Sequence, residues 1–300
     1  MKSALGDLAV AVDAGGTNTR VALVARHASA PPAVAVESIA AFRTERDYDP
    51  QIERLVSVIA TARTRAGDHG ALITGVGVSV GGRMLRDGAG VAVAPNLPAY
   101  EGRPLADDLA ARTALRVRAA HDTVCGLLGE LRYGALAGEE RCAYLTLSTG
   151  LGAAIHLAGP DGAPGVNVSI EMGHQLLDGA TRLCLCGQTG CLETYVGGRQ
   201  LELRYGEPLA ALDDPLVWET LAEKLALGLV NLAQLTRVER VAAGGAIALA
   251  RPALLVELQA RVNARLRNMT LRIVPAALGE QAPLIGAAAL LETDPGSILN

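Results

Sequence analysis

Residues 8–24 read LAVAVDAGGTNTRVALV. An apolar run from Leu8 to Val12 meets the turn Asp13-Ala14-Gly15-Gly16-Thr17-Asn18, and a second apolar run follows from Val21 to Val24. The pattern is strand, glycine turn, strand. Dinucleotide and Walker-type phosphate loops also open on a glycine turn after a strand, but both run on into a helix. Neither G-x-G-x-x-G nor G-x-x-x-x-G-K-[ST] occurs here. The theme returns where Tyr144–Leu147 and Ala153–Leu157 flank Ser148-Thr149-Gly150-Leu151-Gly152. Either turn alone is readable as a plain hairpin. Two of them imply two related halves, whose hydroxyls and unhindered backbone N–H groups can grip a polyphosphate from opposite sides. Asp13 would then help hold Mg2+ on it through water.

Outward from these hairpins, apolar spacing predicts a helix over Ile52–Ala62 and a buried strand over Ile73–Val80 that closes on Gly81-Gly82. A strand over Leu115–Ala120 delivers His121-Asp122, and a helix covers Thr123–Tyr133. Asp107 and Asp108 read as the solvated face of an exposed helix. Residues 159–195 are loop-rich. Asp214-Pro215 starts a helix, as N-cap and first-turn proline, and the apolar pattern runs to Leu235. A strand over Val238–Ala243 meets Gly244-Gly245, and helical patterns cover 250–266 and 284–292. The expected class is α/β. With no low-complexity linker, the motifs set the boundary near residue 119, giving lobes 1–118 and 119–283, with the C-terminal helix of about 284–300 packing back on the first.

Half of the 300 residues are hydrophobic, enough for a sizeable core without external staples. Net charge is −4 and the basic residues are scattered, so the footprint of a nucleic-acid binder is missing. The N-terminal run is too short for a membrane span and has no cleavage pattern, which suggests a cytoplasmic protein.

Of five cysteines, three crowd into residues 184–191. His174, Cys184, Cys186 and Cys191 follow H-x9-C-x-C-x4-C, a ligand set that suits tetrahedral zinc, and Gly187 and Gly190 permit the tight turns that convergence needs. Four protein ligands leave no position for water, so the metal would be structural. A loop of free thiols is the alternative. Cys125 and Cys142 read as small buried hydrophobes. Asp122 stands at a strand end before a helix, where carboxylates line ligand crevices in α/β architectures, but a simple helix N-cap would look the same.

In order along the chain, Asp13-Ala14-Gly15-Gly16-Thr17, Asn96-Leu97-Pro98, Asp122 with Gly129-Glu130, Ser148-Thr149-Gly150-Leu151-Gly152, Glu171-Met172-Gly173-His174, residues 184–193 and Gly244-Gly245 resemble the motifs of ROK-family sugar kinases. The likeness spans nearly the whole chain, and E-x-G-H followed by C-x-C-G-x-x-G-C-x-E is its specific part. It implies the actin-like ATPase (ribonuclease H-like) fold, two lobes with a cleft closing over ATP-Mg2+ and a sugar, a zinc module at 171–193, and a homodimer. By that likeness Asp122 is the general base toward the sugar 6-hydroxyl. Gly82, Asn96, Glu171, His174 and Glu193 match sugar-contacting positions. One ring nitrogen of His174 would bind zinc while the other faces the sugar. Gly15, Gly16, Thr17, Asn18, Ser148, Thr149 and Gly150 match the phosphate turns, and Gly244 and Gly245 the adenosine turn.

Three departures stand out. His121 replaces the usual Asn before the catalytic aspartate, so hydroxyl recognition near C3 or C4 changes in a way compatible with kanosamine, a 3-amino glucose; equally, the ring fills the site while turned away. Gly81-Gly82-Arg83 replaces P-G-P, which predicts a looser turn with a new cation. Ala153 and Ala154 replace glycines after the second phosphate turn. The expected activity is transfer to the 6-hydroxyl of glucose or a glucose-like amino sugar. N-acetylglucosamine or N-acetylmannosamine kinase and a non-catalytic sugar-binding regulator are the alternatives; family repressors carry a helix-turn-helix before the first phosphate turn, and Asp13 lies too near Met1 for one.

Overall fold

The computed structural model describes residues 7–27, 33–68, 70–209 and 211–299. The first six residues of the N-terminal run, and Asn300 at the end of the expected last helix, lie outside them. In chain order the elements of the first unit are β1 (Asp7–Ala14), β2 (Asn18–His27), β3 (Ala33–Arg43), α1 (Tyr48–Asp68), β4 (Ile73–Val80), the short ribbon β5 (Arg83–Met84) and β6 (Val91–Val93), α2 (Leu105–Thr113), β7 (Val117–His121) and α3 (Asp122–Tyr133). Those of the second are β8 (Arg141–Leu147), β9 (Leu151–Leu157), β10 (Val166–Ile170), α4 (Glu193–Val196), α5 (Gly198–Tyr205), α6 (Pro215–Thr236), β11 (Arg240–Gly244), α7 (Ala246–Ala250), α8 (Pro252–Arg265) and β12 (Arg272–Pro275). The chain then returns to the first unit as α9 (Ala282–Ala289).

The first sheet runs β3-β2-β1-β4-β7, with the first three strands antiparallel and β4 and β7 parallel to β1. β1 is apolar on both faces because both are covered. Leu8, Val10 and Val12 share a core with Ile52, Leu55 and Ile59 of α1 and with Leu105 and Leu109 of α2. Strand alternation puts Ala9 and Ala11 on the opposite face, against α9. Small residues there let two backbones approach closely: a Cβ on Gly77 would lie 1.7 Å from the Ala287 carbonyl oxygen, and one on Gly286 would lie 1.6 Å from that of Cys125 in α3. α9 is buried almost all round, which accounts for its unbroken apolar sequence.

The strands of the second unit repeat the plan in the order β10-β9-β8-β11-β12, with the same antiparallel hairpin and the same pair of parallel additions. Leu145, Leu147 and Val241 of this sheet pack with Leu225 and Leu229 of α6 and Leu255 and Leu258 of α8. α6 starts as its sequence dictates: the Asp214 side chain accepts from the Leu216 amide at 2.9 Å and Pro215 opens the helix.

Four readings need correction. The units divide at Gly134/Ala135, later than the expected 118/119, because β7 is the fifth strand of the first sheet and α3 packs on α9. Residues 159–195 include the strand β10, whose short polar-apolar run Val-Asn-Val-Ser-Ile gives a weak signal. Asp108 is not free surface, since its Oδ2 accepts from the Tyr48 hydroxyl at 2.7 Å. The turn at Gly82 is tightly determined rather than loose: its φ is +126° and a Cβ would lie 2.6 Å from the Val93 carbonyl oxygen. Cys125 and Cys142 are buried, as expected. No helix among the described residues is long and apolar enough to cross a membrane.

Candidate active site and metal centre

In the first unit the parallel strands β1, β4 and β7 end side by side, with Asp13 in register with Ser79 and Val80 with His121. Strand ends of this kind are where open α/β sheets place ligands. Asp13 Oδ1 accepts from Ser79 Oγ at 2.9 Å, and Oδ2 accepts from Arg20 Nη2 at 2.6 Å and Nε at 3.2 Å. Arg20 reaches it because the β1–β2 register sets the two residues opposite each other. Gly16, Thr17 and Asn18 are exposed at the hairpin tip, which closes through Gly15 N–H to Asn18 O at 3.0 Å. A Cβ on Gly16 would lie 2.7 Å from that of Asn96, so Asn96 stands directly beside the turn.

His121, not Asp122, is the N-cap of α3; its Nδ1 accepts from the Thr123 amide at 3.2 Å and is 2.7 Å from Thr123 Oγ1. Capping is therefore no longer an account of Asp122. Nδ1 also lies 2.9 Å from Asp122 Oδ1, close enough for ion pairing, although Oδ1 is covered and makes no aligned hydrogen bond. The side chain as a whole is 38% exposed, so its open edge is on the Oδ2 side, 3.9 Å from where a Cβ of Gly81 would stand. Burial is the largest influence on the Asp122 pKa and works to raise it, but the charge and hydrogen bonding of His121 together with the Thr123 amide outweigh it and hold the carboxyl below the ordinary aspartate value. Beneath it, burial and the nearby Asp122 and Asp13 carboxylates push the Cys125 thiol well up, which keeps it neutral.

In the second unit the hairpin 148–152 is braced from three directions. The α5 N-terminus docks on it through Gly198 N–H to Ser148 O and Arg199 N–H to Thr149 O, both 2.9 Å. Glu193 Oε2 accepts from the Leu151 amide at 3.0 Å, and a Cβ on Gly150 would lie 2.7 Å from that oxygen. Gly245, at φ +85°, lies against Leu147, where a Cβ would be 2.4 Å from the carbonyl oxygen. Ser148, Thr149, Gly150, Glu193, Gly244 and Gly245 thus gather at one place. Ala153 and Ala154 are buried within β9, away from the hairpin tip.

His174, Cys184, Cys186 and Cys191 converge so that their ligand atoms all lie within 4.8 Å of one another. The Cys186 and Cys191 sulfurs are 3.7 Å apart, and the Cys184 sulfur is 3.9 Å from His174 Nδ1. A tetrahedral ion with metal–sulfur bonds of about 2.3 Å has sulfur–sulfur edges of about 3.8 Å, so the donor set fits zinc. Gly187 (φ +90°) and Gly190 (φ +93°) make the turns, with Cys184 N–H to Gln188 O and Gly190 N–H to Arg182 O closing the loop. Gln200 of α5 donates its amide to the Cys184 sulfur at 3.2 Å. Glu171 is exposed at the head of the turn that carries His174.

Sequence reasoning did not find Arg20, Ser79 and Gln200. Only Arg20 had a usable signal, since a two-strand hairpin with a fixed turn sets its cross-strand partner.

A curated glucokinase of Thermotoga maritima is 31% identical over 189 residues, which is 61% of this chain and 55% of that enzyme, so the match spans little more than half its length. A kanosamine kinase of Amycolatopsis mediterranei is 28% identical over 93% of this chain and 94% of its own. Among solved structures, a ROK-family glucokinase of Streptomyces griseus in complex with glucose and AMPPNP superposes with a TM-score of 0.75 at 26% identity, covering 94% of this chain and 98% of that one. With the ROK family model matched across residues 9–294, the chain belongs to the ROK family.

Proposed function

We propose that the chain is an ATP-dependent sugar kinase that transfers the γ-phosphoryl group to the 6-hydroxyl of glucose or a glucose-like amino sugar, kanosamine included. The observation that carries this reading is the state of Asp122. It is relieved of capping by His121, has Oδ1 set against the imidazole, and presents its open edge at the ends of β1, β4 and β7. An ionised carboxylate there accepts the 6-hydroxyl proton as that oxygen bonds to the γ-phosphorus and the bond to the β,γ-bridging oxygen breaks, releasing ADP.

The glycine turns at 15–18 and 148–150 take the phosphates, and Gly244-Gly245 the adenosine. Both oxygens of Asp13 already accept from protein donors, which suits contact with Mg2+ through water rather than direct ligation. Gly82, Asn96, His121, Glu171, His174 and Glu193 contact the sugar. His121 Nδ1 is occupied at the α3 cap, so any reading of the sugar by this residue falls to Nε2. The structural ion held by His174, Cys184, Cys186 and Cys191 is zinc; it supplies no bond-making chemistry and fixes the ring that faces the sugar. Assembly as a homodimer belongs to the same reading, on the family likeness alone.

The test is ATP consumption by the zinc-loaded protein against glucose, kanosamine, glucosamine, N-acetylglucosamine and N-acetylmannosamine. Turnover with glucose or kanosamine above the others is expected. Sugar binding without turnover on any of them would overturn the kinase reading in favour of a sugar-responsive regulator.

A further inference from the structure

Behind the first glycine turn lies a set of polar side chains that neither phosphate nor sugar binding uses. Gln51, in the first turn of α1, and Thr19, on β2, are both fully buried. Gln51 Oε1 accepts from the Glu45 amide at 3.0 Å, which leaves its Nε2 to donate to Thr19 Oγ1 at 2.9 Å. Thr44 Oγ1 donates to the Gly15 carbonyl at 2.7 Å, and the two threonine oxygens are 2.9 Å apart. A hydroxyl has one hydrogen. Because that of Thr44 is committed to Gly15, the hydrogen between the threonines belongs to Thr19. The direction of every link is thereby fixed: Glu45 N–H to Gln51, Gln51 to Thr19, Thr19 to Thr44, Thr44 to Gly15.

We infer that Gln51, Thr19 and Thr44 are positioning residues that set the phosphate turn for ATP. A trans peptide is planar, so its C=O and the following N–H point in opposite directions. Holding the Gly15 carbonyl toward Thr44 turns the Gly16 N–H away from it, on the exposed side of the turn. Thr44 also donates its own amide to Thr17 O at 3.0 Å, so the carbonyls of Gly15 and Thr17 are drawn to the same residue. Gln51 and Thr19, in the middle of the one-way series, are fully buried, and reversing their link would strand a donor against a donor. The turn is thus held with a donor facing outward before any phosphate arrives, which removes the ordering cost from binding.

This inference rests on the reading of residues 15–18 as a phosphate turn, and the experiment separates the two. Calorimetric affinities for Mg2+-AMPPNP and for glucose are compared among the wild type, Thr44→Val and Thr44→Ser, with melting temperatures for each. Thr44→Val keeps the side-chain shape and loses the hydroxyl. It is expected to weaken AMPPNP about tenfold while glucose affinity stays within about twofold, and Thr44→Ser is expected to stay close to wild type. Gln51→Met serves the same purpose further back in the series, should Thr44→Val fold poorly. AMPPNP binding by Thr44→Val equal to wild type, or an equal loss in Thr44→Ser, would overturn the inference while leaving the kinase reading intact. A wild type that binds glucose but not AMPPNP removes the phosphate-turn reading itself, and this inference with it.

Discussion

The Nδ1 atom of His121 lies 2.9 Å from Oδ1 of Asp122 and 3.2 Å from the amide of Thr123, so one ring nitrogen serves both the cap of α3 and the carboxylate beside it. Nδ1 accepts from Thr123 when the ring is neutral, and carries a hydrogen toward Asp122 when it is protonated. His121 is therefore coupled to the proposed base.

Asp122→Asn keeps the size and position of the side chain and removes its ability to take a proton. The expected loss in kcat is about 100- to 10,000-fold, with sugar affinity within a few-fold of wild type. Steady-state kinetics with calorimetric sugar binding checks both. Near-normal turnover would assign the base elsewhere.

The direction of the Asp122 shift fixes a pH dependence. Its folded-state pKa is below the ordinary value of about 3.9, so the ionised base persists as pH falls and is lost only below that value. By linkage, the stability it contributes is fully present above its unfolded pKa and is lost as pH falls through the lowered one. His121→Asn removes the imidazolium that holds the pKa down, so the acid limb of kcat/KM should move to higher pH. Profiles of both proteins over the acidic range decide this; an unmoved limb would show that the imidazole does not govern the base.

Cys186→Ser removes one of four converging donors. Zinc content measured by mass spectrometry and sugar affinity should both fall, together with melting temperature, because the same loop leads into Glu193 and on to the Leu151 amide. Unchanged sugar kinetics in a zinc-free variant would separate the metal from the pocket.

Gly77→Val tests the seat of α9. Any Cβ there meets the Ala287 backbone oxygen, which is not a flexible group and cannot give way. A loss of about 3 kcal/mol or more is expected in chemical denaturation, against the 1–3 kcal/mol usual for overpacking.

Sequence exposed the parts whose chemistry is local. The two glycine hairpins, the Asp214-Pro215 helix start and the cysteine spacing each need only residues near in the chain, and the topology and geometry match them. Tertiary pairings were hidden. β7 joins the first sheet by pairing with β4, a strand more than forty positions earlier in register, which moved the unit boundary. His121 took the cap from Asp122 because the strand ends one residue later than its apolar run suggests. Gln51 and Thr44 carry no motif, and their role emerges only when β2, β3 and α1 are brought together.

The seat of α9 also imposes an order in time. The groove at Gly77 and the close approach at Cys125 are filled by Ala282–Ala289, which the ribosome makes only after the whole of Ala135–Glu280. At ordinary elongation rates that is a delay on the order of 10 s. Throughout it the first sheet waits with one apolar face uncovered, so a nascent chain stopped at Glu280 should bind a hydrophobic-surface chaperone that releases the chain once α9 has emerged.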